Sequence, residues 1–352
     1  MIISFPRFGD YHIPLAMMLR RIFPQAQVLP PTPITARTIE LGARHSPDTV
    51  CMPFKYNLGS YIEALERGAD VLMGAGAGCR YGFYGETHEL ILRGLGYKFD
   101  YINFFEMDGS IINVYKLCKR LGSPLSLLRF LMTARLIIKT LAAMDETDFY
   151  IREHSGLEAA PGNFDRLKTR FLLDLEADKH GERASALAKL YKQNIAAVPL
   201  TEPKKAPRAG LVGELFSLIE PSAQHSIERA LTDNGITVTR RTNLTYLLFQ
   251  KRKHIPRLLR EAEGYIEHHL GADATGTVAN ALEFAKAGYD GIIHLKPFGC
   301  TPELNAIPFL ERISRDYDIP ILYFSFDTQT TPTGVGTRLE AFVDMIKEKN
   351  YK

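Results

Sequence analysis

Short apolar runs alternate with stretches of helical periodicity through the first hundred residues. Residues 2–5 read as a strand and 13–22 as a helix. Residues 27–29 are a short strand, and 36–43 and 56–67 are helical. The compact apolar run at 70–73 reads as a buried strand, 87–93 as a helix and 99–104 as a strand. This rhythm predicts a mostly parallel sheet with helices on both faces. Residues 111–192 carry helical patterning almost throughout, with scattered breakers at Gly122, Pro124, Gly156, Pro161 and Gly162. Pro199, Pro203 and Pro207, with Lys204 and Lys205, form a polar, proline-rich linker. The rhythm then restarts. Strands are expected at 209–212, 236–239, 291–295 and 320–326, and helices at 224–234, 255–267, 274–287 and 336–347, with Gly235 closing the first of these. The expected organisation is an N-terminal α/β domain (1–110), a helical connecting segment with its linker (111–207) and a C-terminal α/β domain (208–352).

Composition leaves this picture intact. At 45% hydrophobic and 24% charged, the 352 residues resemble an ordinary globular protein, and a net charge of +3 argues against nucleic acid or an anionic membrane as partner. The basic clusters 251–253 and 204–205 are short and fit solvated helix ends or a linker. The most apolar stretch, 125–144, carries Arg129, Arg135 and Lys139 at helical spacing, so it reads as an amphipathic or core helix rather than a membrane span. The N-terminal residues lack a signal-peptide pattern, which places the chain in the cytoplasm as an expectation. In that compartment four cysteines are thiols, ligands or nucleophiles rather than disulfides.

Three of the four cysteines sit beside Gly or Pro, outside the expected elements. Cys51 opens Cys51-Met52-Pro53-Phe54-Lys55 before a helix. Cys79 closes a run with Gly74, Gly76 and Gly78 after a strand. Cys300 follows a strand in Pro297-Phe298-Gly299-Cys300-Thr301-Pro302-Glu303. Loops after parallel strands are where open α/β sheets bind ligands. Thiolates are soft donors that suit iron–sulfur clusters or zinc, and glycine-rich backbone can bring amide groups to an anionic cluster. Lys55, Arg80 and Lys296 lie close enough in sequence to offset cluster charge. Spacing alone leaves three readings open: a cluster, a zinc site completed by histidine or water, or three buried thiols. Cys118, mid-helix without Gly or Pro beside it, reads as structural.

At these motifs the sequence resembles the 2-hydroxyacyl-CoA dehydratase family, in its activase-related (CoA-protein-activase-like) branch. The likeness rests on Phe5-Pro6-Arg7 with Tyr11, on the Cys51 motif with Gly59, and on Gly78-Cys79-Arg80-Tyr81-Gly82 with Tyr84. It extends to Gly213-Glu214, Glu220-Pro221, the Cys300 motif, and Asp327 with 337–342 in the tail. The resemblance implies two Rossmann-like α/β domains with mostly parallel sheets and a [4Fe-4S] cluster in the interdomain cleft, held by Cys51, Cys79 and Cys300. It implies a separate ATP-dependent iron–sulfur activator protein that delivers one low-potential electron for reductive or radical dehydration, in anaerobic metabolism. A related subunit, in a homodimer or heterodimer, is also implied. Three motif cysteines do not supply the six ligands of a double cubane, and no residue of the middle segment matches a CoA or substrate contact. Catalytic residues are therefore left unassigned. A noncatalytic iron–sulfur subunit or maturation factor is the alternative, and a zinc protein a second one.

Other motifs weigh less. Gly74-x-Gly76 is followed by Cys79 where a dinucleotide fingerprint requires glycine, and no Walker A sequence is present. His268-His269 reads as an exposed helix end and His294 as a satisfied histidine, with a proton donor as its other reading. Glu214, Glu220 and Glu303 are candidates to face a cleft, with helix capping expected of Glu303. Tyr81, Phe83 and Tyr84 are candidates to shield a cluster from water.

Overall fold

The computed structural model describes residues 1–74, 79–103, 111–201 and 206–350. The chain divides into two compact units, one comprising Met1–Ala142 with Leu172–Ala188 and the other Ala143–Phe171 with Lys189–Lys352. Each holds a four-stranded, all-parallel sheet. The protein is thus an α/β structure of two Rossmann-like sheets with a large helical content.

In the first unit the strands are β1 (Ile2–Ser4), β2 (Gln27–Val28), β3 (Val71–Gly74) and β4 (Asp100–Asn103), in the order β2-β1-β3-β4. The side-chain period of two sorts β3 between two cores. Val71 and Met73 pack with α1 (His12–Ile22) and with Cys118 of α5 (Ile111–Arg120), whereas Leu72 packs with α3 (Met52–Glu66) and α4 (Tyr84–Gly94). Each fully buried Leu or Phe here is worth about 2 kcal/mol of removal from water. Helix α2 (Ala36–His45) is capped by Thr35 and crosses α3 in direct backbone contact. A Cβ on Gly42 would lie 1.8 Å from the Lys55 carbonyl oxygen, and one on Gly59 1.9 Å from that of Thr38. Those two glycines set the depth of α3, and therefore the position of Cys51 at its N-terminus.

The intervening helices are α6 (Leu127–His154), α7 (Asn163–Ala177) and α8 (Ala184–Ala196). The second sheet contains β5 (Arg208–Gly213), β6 (Thr237–Arg240), β7 (Gly291–Pro297) and β8 (Ile321–Phe326), in the order β6-β5-β7-β8. The two strand orders are identical when the strands of each sheet are counted from its own start. Helices α9 (Leu215–Ile219), α10 (Ile227–Asp233), α11 (Lys251–Glu261), α12 (Ala274–Lys286), α13 (Thr301–Tyr317) and α14 (Pro332–Asn350) complete the second unit. Every residue of β7 is buried, His294 and Lys296 included, as a central strand of a parallel sheet requires. Gly235, at φ +74°, ends α10 as expected.

Several boundaries differ from the sequence expectation. Helices α3 and α4 begin at Met52 and Tyr84, a turn earlier than periodicity alone indicates, because Pro53 occupies the first turn of α3 and a 3₁₀ turn (Arg80–Phe83) leads straight into α4. Helix α11 ends at Glu261, so His268 and His269 are exposed in the connection to α12 rather than at a helix end. The expected strand residue Phe104, the glycines Gly76 and Gly78, and the linker residues Pro203, Lys204 and Lys205 lie outside the described residues. Among the described residues no helix is long and apolar enough to cross a membrane.

Candidate functional site

Cys51 is the N-cap of α3, in extended backbone, and Phe54 N–H donates to its carbonyl at 3.1 Å. Its side chain does not cap the helix; Sγ lies 3.2 Å from the Tyr84 hydroxyl instead. Tyr84 is held by an aromatic group that sequence reading did not single out. Its ring meets Phe54 edge-on at 4.8 Å, and Phe54 stacks on His88 at 4.0 Å. His88 is buried, and its Nε2 lies 3.0 Å from the Phe54 carbonyl. Burial lowers the His88 pKa to about 4, so the ring is neutral at physiological pH. The signal available in sequence was the i, i+4 pair Tyr84 and His88 on one helix face.

Cys79 is exposed and its carbonyl accepts from Gly82 N–H at 3.0 Å, closing the 3₁₀ turn before Tyr84. The Tyr84 hydroxyl is held far above the usual phenol range, first by burial and then by negative charge on Cys51 and Cys79. Cys51 thus contacts this hydroxyl directly, and Cys79 opens the turn that leads into its helix. Lys55 directs its Nζ to the Asp48 carbonyl at 3.5 Å. Of the aromatic candidates, Phe83 is 75% exposed and Tyr84 is buried. The side chains of Arg80 and Tyr81 lie outside the described residues. None of the four cysteines, all described, forms a disulfide. Cys118 is buried, and burial pushes its thiol up to about 11.

In the second unit Cys300 is the N-cap of α13, with proline again in the first turn and again no side-chain cap. Gly299 turns the chain at φ +72°, where a side chain would be strained, and Cys300 N–H donates to the Pro297 carbonyl at 3.2 Å. Cys79 follows β3 and Cys300 follows β7, which are the third strands of sheets with the same order. Both thus lie past the carboxyl end of a strand beside the point where strand order reverses, the usual ligand edge of such sheets. Lys296 is buried next to this loop. Burial lowers its pKa, and the charges of Cys300 and Glu303 oppose that effect.

Glu303, expected to cap a helix, does otherwise. Its buried carboxylate accepts from His294 Nε2 at 2.8 Å and from the Thr277 hydroxyl at 3.2 Å. His294 is fully buried, and its Nδ1 has no hydrogen-bond partner among the described residues. Glu214 is the carboxylate that caps. It accepts from Phe216 N–H and Ser217 N–H, both at 2.9 Å, at the start of α9. Glu220 is buried and accepts from Ser222 N–H at 3.2 Å.

Burial raises the Glu214 pKa to about 7, against the hydrogen bonds it accepts and with added repulsion from Asp273. A carboxyl raised on folding binds more protons in the native state, so its stabilisation falls as pH rises from its ordinary value through the raised one and is constant beyond. Wild type should therefore lose on the order of 3 kcal/mol, relative to Glu214→Gln, between pH 4.5 and 7.5. Urea unfolding across that range, with both chains compared at each pH, checks this.

Among the described residues no group of three or more His, Cys, Asp or Glu side chains is arranged to hold a metal ion. The three candidate ligands are shared out, Cys51 and Cys79 in the first unit and Cys300 in the second. The comparison with known proteins decides the family. The model of the family described as 2-hydroxyglutaryl-CoA dehydratase, D-component, matches residues 114–346. The chain belongs to that family. The D-component match contains Cys300 and the whole second sheet, while Cys51 and Cys79 precede the matched residues. A comparison with curated proteins found no match.

Proposed function

We propose that this D-component family member is an iron–sulfur protein of the activase-related branch, in which Cys51, Cys79 and Cys300 ligate one [4Fe-4S] cluster. The observation that carries the reading is the 3.2 Å contact of Cys51 Sγ with the Tyr84 hydroxyl, on the helix into which the Cys79 turn leads. The donor set fits. Three thiols are soft ligands for iron, and Cys51 and Cys300 begin helices whose first-turn amide groups favour a thiolate. When bound, the cluster supplies one-electron chemistry at low potential.

The chain's own residues do the rest. The Tyr84 hydroxyl holds Cys51 in place and places an O–H donor beside sulfur, a contact that tunes cluster potential. Phe54 and His88 fill the space behind that hydroxyl and keep water from it. Lys296 offsets negative charge at Cys300. In this reading an ATP-dependent iron–sulfur activator protein delivers the electron, a related subunit completes the assembly, and the system acts in the cytoplasm on a 2-hydroxyacyl-CoA thioester or passes the electron onward. The same three thiols also suit zinc, so metal identity is the discriminating property.

Anaerobic reconstitution with iron and sulfide tests the proposal. The expected product has broad visible absorbance that bleaches on reduction, unchanged in Cys118→Ser. A protein that stays colourless and instead retains tightly bound zinc overturns it.

A further inference from the structure

The first half of α6 carries an apolar face that its own unit leaves uncovered. Phe130, Thr133, Ile137, Thr140 and Leu141 are buried. Leu127, Leu128, Leu131, Met132 and Ile138 are exposed, Leu128 and Met132 at 69% and 62%. At 3.6 residues per turn these five, with Arg135 and Lys139, occupy a sector of about 140° opposite the buried row. Leu128, Leu131, Arg135 and Ile138 follow the three-four spacing with which one helix presents a seam to another.

The charge on this face has one sign. Its two charged residues, Arg135 and Lys139, are both basic, and residues 109–144 as a whole contain six Lys or Arg and no Asp or Glu. The side chains of Arg135 and Lys139 are exposed, and neither makes an ion pair or hydrogen bond among the described residues. Such a face disfavours a second copy of itself, because the charges the two copies would bring together are all of one sign. It also lacks the exposed aromatic side chains typical of helices lying in a membrane surface, since Phe130 points into the core.

We propose that this face of α6 is a docking surface for an acidic amphipathic helix of a partner protein. Leucine-type side chains of the partner fill the seam, and its Asp or Glu residues pair with Arg135 and Lys139. The surface is independent of the cysteines and of any cluster.

Titration of the full chain with a designed helical peptide, leucine at the seam and glutamate beside it, tests this by fluorescence anisotropy. The expected result is saturable binding that weakens at least tenfold in Met132→Glu and in the double variant Arg135→Glu, Lys139→Glu. The double variant should instead bind the lysine-flanked version of the peptide. Circular dichroism of both variants should match wild type, because the altered side chains are exposed. Absence of binding, equal binding of the glutamate and lysine peptides by wild type, binding to phosphatidylglycerol vesicles in place of the peptide, or self-association lost in Met132→Glu would each overturn the proposal.

Discussion

Asp148→Ala is expected to cost roughly 3 kcal/mol or more. Asp148, on α6, receives Arg152 one turn on, Lys168 at 2.6 Å and Arg240 at 3.2 Å. Arg240 is 4% exposed and also pairs with Glu228 at 2.9 Å. Burial alone would raise the Asp148 pKa, but Arg152, Lys168 and Arg240 outweigh it and hold the carboxyl well below its ordinary range. A carboxyl lowered on folding stabilises above its unfolded pKa and loses that contribution as pH falls. The gap between wild type and Asp148→Asn should therefore be full at pH 7 and shrink below about pH 4. Removing the carboxylate leaves three cations facing one another at the end of β6. Urea unfolding at both pH values measures the gap; a loss under 1 kcal/mol at pH 7 would mean that water already screens this network.

Glu303→Ala is the second such substitution. The residue is 1% exposed, and its two partners are themselves buried, so truncation orphans the Thr277 hydroxyl and leaves the His294 ring without a partner at either nitrogen. A loss of about 3–5 kcal/mol is expected. Glu303→Gln keeps an acceptor for His294 and should lose no more than about 2 kcal/mol. Denaturant midpoints of the two variants separate an electrostatic and hydrogen-bonding role from simple space filling. Equal losses would contradict the assignment.

The fold was largely legible in the sequence, because strands such as β7 and β8 are short, mainly apolar runs and the breaks between elements carry Gly or Pro. What periodicity did not show were the starts of α3 and α4. Those starts depend on proline in a first turn and on a 3₁₀ lead-in, neither of which alters hydrophobic spacing. Of the site, the special setting of the cysteines was visible through the residues beside them. The Tyr84 contact with Cys51 was not, since it joins residues 33 positions apart. Likewise Glu303 read as a capping residue from its place near a helix start, whereas its true partners come from β7 and α12 and depend on sheet order. Gly42 carried no legible message, and Gly59 none beyond its place in the motif, until the crossing of α2 and α3 showed backbone meeting backbone.

The central claim is that three particular thiols share one cluster, and metal content tests it most directly. Protein purified and reconstituted without oxygen should contain about four irons and four acid-labile sulfides per chain. Cys51→Ala, Cys79→Ala and Cys300→Ala should each lose most of both, while Cys118→Ala should lose neither. Iron and sulfide absent from wild type, or retained in full by Cys300→Ala, would contradict the account.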